Sequence, residues 1–117
     1  MNQLTTVFKA FSDETRLRIL ILLAQEELCV CQLSGIMDIS QPKVSKHLSK
    51  LRDMGFVIDQ RKERFVFYRL QRKNRFLMTI TKDILQKSEE FPQLLADRCG
   101  LAEREQYLSQ CNCNLDV

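Results

Sequence analysis

A mainly helical fold with one small β-hairpin, an α+β domain, is predicted for this chain of 117 residues. Three observations carry the prediction. Apolar residues recur at helical spacing through most of the chain. Two β-rich runs, Phe56-Val57-Ile58-Asp59-Gln60 and Phe65-Val66-Phe67-Tyr68-Arg69-Leu70, flank the charged tip Arg61-Lys62-Glu63-Arg64. That hairpin follows a helix with Pro42 near its start and Gly55 past its end, the usual places for those residues.

Taken in order, Leu4, Val7, Phe8 and Phe11 have the spacing of a short amphipathic helix. Ser12-Asp13 interrupts it and can cap a second helix from Glu14 to about Gln25. Leu17, Ile19, Leu20, Ile21, Leu22 and Leu23 make that helix apolar nearly all round, as befits the buried centre of a domain. Leu28-Cys29-Val30-Cys31 reads as a short extended segment feeding a helix from about Gln32 to Met37. Asp38-Ile39-Ser40 makes a turn, and Ser40 is the expected N-cap of a helix running to about Met54. The hairpin follows. A last helix, about 73–90, carries Phe76, Leu77, Ile80, Ile84 and Leu85 on one face until Pro92 interrupts the pattern. Residues 1–92 are read as one DNA-binding and dimerisation domain, and 93–117 as a weakly patterned, cysteine-containing tail. The order helix, helix, turn, helix, hairpin, helix is that of a winged helix-turn-helix.

Charge distribution fits that order. Residues 43–75 carry eleven Lys/Arg and three acidic residues, a balance of +8, while the rest of the chain balances at −5. On the helical wheel Val44, Leu48 and Leu51 face the core, and Lys43, Lys46, Ser49 and Lys50 lie opposite, with Gln41 and Ser45 near the helix start. Such a face can donate to base edges in the major groove while its lysines meet phosphate. Ser40, Gln41, Lys43, Ser45, Lys46, His47, Ser49 and Lys50, with Arg61, Lys62 and Arg64 at the hairpin tip, are therefore the expected DNA-binding residues. His47 lies beside the core stripe and is read as partly buried, with a phosphate contact. The apolar faces of the first and last helices exceed what one small core needs, so a homodimer presenting two reading helices to double-stranded DNA is expected.

Hydropathy and cysteine usage bound the rest. The longest apolar run, 19–24, is far short of a bilayer span. The N-terminus lacks the pattern of a secretory signal, so a cytoplasmic chain without membrane partners is expected. Five cysteines, odd in number and clustered, do not suggest a disulfide framework there. Metal or metalloid ligation is favoured over burial for Cys29 and Cys31. In an extended segment residues i and i+2 share a face, so the two sulfurs could lean together, with Leu28 and Val30 buried and the cysteines outward. In a regular helix they would point about 200° apart. Cys31, at a helix start, would feel a dipole that favours thiolate. A small thiol enzyme is disfavoured, since there is no Cys-x-x-Cys motif and no paired His/Asp constellation.

Three segments are similar to one known family. Glu27-Leu28-Cys29-Val30-Cys31-Gln32-Leu33 resembles the thiolate metal-binding motif of the ArsR/SmtB family of dimeric winged-helix repressors. Phe11-Ser12-Asp13-Glu14-Thr15-Arg16-Leu17-Arg18-Ile19-Leu20 resembles its second-helix signature, with Glu14 where proline is common, and Ser40-Gln41-Pro42-Lys43-Val44-Ser45-Lys46-His47-Leu48 its recognition helix. The resemblance covers about residues 4–72. It implies operator binding without inducer and release when the metal or metalloid binds, and As(III) or Sb(III) is the expected inducer. Members sensing arsenite in this helix often carry a third cysteine where this chain has Ser34. Cys111, Cys113 and Cys99 are then the candidates for a third ligand, from the same or the partner subunit. The last helix lacks the Asp/His pattern of the family's zinc sensors. Alternatives are a Cd(II)- or Pb(II)-responsive repressor using both cysteine pairs, and a repressor driven by thiol oxidation.

Overall fold

The computed structural model describes residues 2–110. The chain folds as α1 (Asn2–Phe11), α2 (Glu14–Gln25), β1 (Leu28–Cys29), α3 (Val30–Met37), α4 (Gln41–Asp53), β2 (Val57–Lys62), β3 (Phe65–Leu70) and α5 (Arg75–Gln86). A single 3₁₀ turn (Ser88–Glu90), α6 (Pro92–Gly100) and a C-terminal 3₁₀ strap (Leu101–Gln110) complete it. This is the expected winged helix-turn-helix.

Local chemistry sets each boundary. Asp13 caps α2 by accepting the Arg16 N–H at 3.0 Å, and that bond holds its carboxyl below the usual range. The Arg16 guanidinium in turn donates to the carbonyls of Ala10 (3.3 Å) and Lys9 (3.0 Å), satisfying the open end of α1. Ser40 occupies the N-cap of α4, but its hydroxyl makes no capping bond, and Pro42 sits in the first turn. Gly55 follows the helix with φ 83°, as an αL residue past a helix end should.

α2 is the centre of the core. Ile19, Leu20, Ile21, Leu22 and Leu23 are buried, and the helix packs on α1, α4, α5, α6 and β3. Val44, Leu48 and Leu51 of α4 are each fully buried in the same cluster as Leu20, Leu22 and Leu33. Each such side chain contributes about 1.5–3 kcal/mol by leaving water. α4 is thus seated on the core, against α2, α3 and β2, by its inner face.

The sheet has the order β1-β3-β2, antiparallel throughout, with Leu28 opposite Tyr68, Cys29 opposite Phe67 and Lys62 opposite Phe65. The hairpin turn is therefore the two residues Glu63-Arg64. Arg61 and Lys62, expected at the tip, are the last strand residues of β2. Glu63 adopts φ 59°, a conformation that favours glycine in such turns.

Beyond the wing the fold departs from expectation. The helix expected over 73–90 starts at Arg75, where Asn74 caps it by accepting the Leu77 N–H at 3.1 Å, and ends at Gln86. Pro92 opens a further helix as its first residue, a position that needs no N–H. α6 is tied down by Asp97, which is buried and accepts both Arg18 Nε and Nη2 at 2.8 Å and Gln93 Nε2 at 3.0 Å. Arg18 Nη2 also donates to the Met37 carbonyl at 3.2 Å, so one guanidinium joins α2, α6 and the end of α3.

An apolar ridge is left outside. Phe8 of α1 and Phe76 of α5 are 57% and 42% exposed and meet edge to face, ring centroids 6.1 Å apart, with Leu4 nearby in sequence also exposed. No helix among the described residues is long and apolar enough to cross a membrane.

Candidate functional site

The surface expected to read DNA is built on α4 and the wing. Ser40, Lys43, Ser45, Lys46, Ser49 and Lys50 are exposed, and Gln41 is half-buried at the helix start. Arg61, Lys62 and Arg64 are exposed on the wing. His47 is half-buried; burial, helped by Arg16, Lys43 and Lys46, pushes its imidazole below the usual pKa against the opposing Asp13 carboxylate. At neutral pH it is therefore an uncharged hydrogen-bonding group, and the positive charge of this face comes from lysine and arginine. The helix positions follow from period 3.6: burial of Val44, Leu48 and Leu51 leaves no choice for the rest.

The thiols lie at the foot of the wing. Cys29 Sγ and Cys31 Sγ stand 3.1 Å apart. Both residues are buried, not outward as the alternation suggested. The difference has a geometric cause. The segment is neither a strand nor a helix throughout: Cys29 ends β1 with extended dihedrals (φ −95°, ψ 173°) and also caps α3, which starts at Val30. Cys31 stands in the first helical turn. Because Cys29 is off the helical rotation, the roughly 200° separation of i and i+2 does not apply, and the sulfurs converge inward.

Three groups define their surroundings. The Gln32 side chain accepts the Cys29 N–H at 3.1 Å, closing a capping box with cysteine in the place of serine. Phe65 and Phe67 of β3 pack on the two sulfurs and on each other, with ring centroids 6.1 Å apart. Leu108 of the strap packs on them as well. Burial pushes the Cys29 thiol up, opposed by the Gln32 and Cys31 backbone N–H groups that face its sulfur. Next to the pair, Glu27 is ion-paired with Lys62 of the wing, and the Lys62 ammonium lies 5.9 Å from the Phe67 ring centroid.

Of the other cysteines, Cys99 is exposed on α6, and Cys111 and Cys113 lie outside the described residues. Cys29 and Cys99 are the free thiols among the described residues, and Cys31 has a further partner of its own. No three His, Cys, Asp or Glu side chains among the described residues gather as a metal site, so Cys99 does not join the pair within the chain. Ser34, at the position where a third thiol would stand, instead donates its hydroxyl to the Ile39 carbonyl at 2.5 Å and closes the turn into α4.

Sequence reasoning missed Gln32, Phe65, Phe67 and Leu108. A glutamine three residues after a cap is a legible signal. The phenylalanines become visible only once Cys29 is paired with Phe67 across the ladder.

Residues 13–59 match the family described as bacterial regulatory protein, arsR family. The arsenic resistance transcriptional regulator ArsR1 of Pseudomonas putida is 40% identical over 99 residues, covering 83% of this chain and 76% of that protein. The chain belongs to the ArsR family. The arsenical resistance operon repressor of Escherichia coli is 49% identical over 65 residues, 55% of this chain and 56% of that relative, so the chain spans about half of its length. Among solved structures, reduced HlyU from Vibrio cholerae superposes with a TM-score of 0.68 at 30% identity, covering 73% of this chain and 87% of HlyU. In this ArsR-family regulator the helix expected to read DNA and the two converging cysteine sulfurs are one short helix apart. The family match ends at Asp59 and leaves out β3, α6 and the strap.

Proposed function

We propose that this ArsR-family protein is a cytoplasmic repressor that holds its operator as a homodimer and releases it when trivalent arsenic or antimony binds Cys29 and Cys31. DNA binding and dimerisation lie within 1–92, and the cysteine-bearing segment 93–117 serves the sensor. The observation that carries the reading is the 3.1 Å approach of the two sulfurs, close enough for one atom to bond to both. Bound there, the metalloid supplies sulfur bonds that fix the relative position of β1 and the first turn of α3. A third thiolate would come from Cys111 or Cys113, in the same chain or its partner, or from Cys99 of the partner subunit. The exposed Phe8–Phe76 ridge supplies the apolar face for a second copy.

The geometry gives two routes from the thiols to DNA. Cys29 lies in the ladder opposite Phe67, so a shift of its sulfur presses on the Phe65–Phe67 pair and on the wing they build. Lys62, a wing residue expected to meet phosphate, is joined to Glu27 two residues before Cys29. Cys31 heads α3, whose far end is followed directly by the turn that Ser34 closes and by α4. A coupling of about 1–3 kcal/mol would weaken operator binding roughly 5–150-fold.

The test is Cys29→Ser/Cys31→Ser. Operator affinity, read by fluorescence anisotropy, is expected to stay near wild type, while arsenite no longer lowers it. Arsenite-driven release that persists in the double variant would remove the basis of the proposal.

A further inference from the structure

Cys29 and Cys31 are 0% and 3% exposed, so no ligand reaches them unless some part of their enclosure moves. Among the described residues the enclosure has two kinds of wall. Phe65 and Phe67 belong to β3, the middle strand, where Phe67 stands between Cys29 of β1 and Gln60 of β2 and Phe65 is paired with Lys62 of β2. Moving them breaks ladder bonds. Leu108 belongs to the strap, which takes part in no ladder.

The strap lies along α3 and, among the described residues, is held by separate small contacts. Leu101 packs on the main core. The Arg104 carbonyl accepts Gln32 Nε2 at 3.3 Å, and the Arg104 guanidinium reaches Glu26 at 3.5 Å. The Tyr107 ring rests on Gly35, so closely that a Cβ at that position would stand 2.2 Å from Cδ1 and 2.4 Å from Cγ. A run of ten residues in 3₁₀ geometry also has poorer hydrogen bonds than an α-helix and usually stops at about three or four. Such a segment opens at low cost compared with a central strand.

We propose that the strap, residues 101–108, is the access lid of the Cys29 thiol, with Leu108 as the cover and Tyr107, seated in the notch at Gly35, as the latch. Gln32 reports the lid's position. One end of its amide holds the Cys29 N–H and the other holds the Arg104 carbonyl, so opening the strap frees the residue that positions the α3 cap. The proposal rests on the reading of Cys29 and Cys31 as the inducer site and adds a selection rule. Among the described residues the cover and walls are Leu108, Phe65 and Phe67, and an apolar lining admits a neutral metalloid hydroxide at less desolvation cost than a hydrated dication.

The experiment needs neither metalloid nor DNA, so it can fail independently of the inducer assignment. The full-length protein, reduced with a phosphine, is alkylated with iodoacetamide, and the rates at Cys29 and at exposed Cys99 are followed by peptide mass spectrometry. In Gly35→Ala the added methyl drives Tyr107 out of its notch; Cys29 is expected to react about tenfold faster or more, with Cys99 unchanged. Tyr107→Ala and Leu108→Ala, outside α3, are expected to do the same and serve if Gly35→Ala does not fold. A Cys29 rate equal to wild type in the folded variants overturns the lid. So does an equal rise at Cys99, which reports general loosening.

Discussion

Asp97→Ala is expected to destabilise the domain by about 3–5 kcal/mol, the usual cost of stripping one partner from a buried ion pair. The side chains of Arg18 and Asp97 are only 11% and 3% exposed, and they meet through two parallel bonds of 2.8 Å. That bidentate contact holds the guanidinium further toward its charged form than usual. Without Asp97 the cation stays in place with the Met37 carbonyl and the charge of Glu14 as partial compensation, and Gln93 loses its acceptor as well. Domains of this size have a total stability of about 5–15 kcal/mol, so a fifth or more is at stake. Urea denaturation followed by circular dichroism would read it as a lower midpoint with the slope unchanged. Arg18→Met/Asp97→Leu, which removes both charges and keeps the volume, is expected to recover most of the loss. A midpoint for Asp97→Ala equal to wild type would show that the pair contributes nothing to the fold.

The second large effect is a difference in pH dependence between two classes of inducer. Burial keeps the Cys29 thiol above its ordinary pKa, so it is protonated at neutral pH. A dication such as Cd(II) must expel that proton to gain the thiolate, and its affinity therefore rises about tenfold per pH unit for each protonated thiol it captures. Arsenous acid behaves differently. The thiol and As(OH)3 form an As–S bond and one water, the thiol proton leaving with a hydroxide of the metalloid, and no proton is released to solvent. Between pH 6 and 8 the arsenite affinity is expected to be nearly flat and the cadmium affinity steep, as measured by competition titration. A steep arsenite profile would contradict the proton balance. The same raised pKa has a consequence for the apo protein. The unfolded chain loses the Cys29 proton first, so this residue's share of stability is full below the ordinary thiol pKa of about 8.5 and is lost as pH rises through the folded value.

How much of this was legible in the sequence depends on how local the cause is. The helical period placed Val44, Leu48 and Leu51 inside, and with them the exposed lysines of α4. Asp13, Pro42 and Gly55 marked helix ends through their own backbone chemistry. The wing's turn was read two residues too long because Arg61 and Lys62 look like turn residues by charge, although the pairing of Lys62 with Phe65 decides the matter. α6 was missed because Pro92 both ends one helical pattern and starts another. The Arg18–Asp97 pair spans 79 residues and has no local signature at all. At the thiols the convergence was foreseen and the burial was not. Alternation along an extended segment predicts sides correctly only while the segment stays extended, and Cys31 is already helical.

The strand order carries one more consequence, for solubility. β3 is shielded on both flanks and β1 is only two residues long, so β2 is the one substantial open edge of the sheet among the described residues. Its exposed residues are Asp59, Gln60, Arg61 and Lys62, polar or charged at every position. Repulsion between such edges keeps two wings from zipping together into an extended sheet. The arginine and lysine expected to meet phosphate are thus the same ones that keep the free protein dispersed. Neutralising them to weaken DNA binding would also remove the guard on that edge.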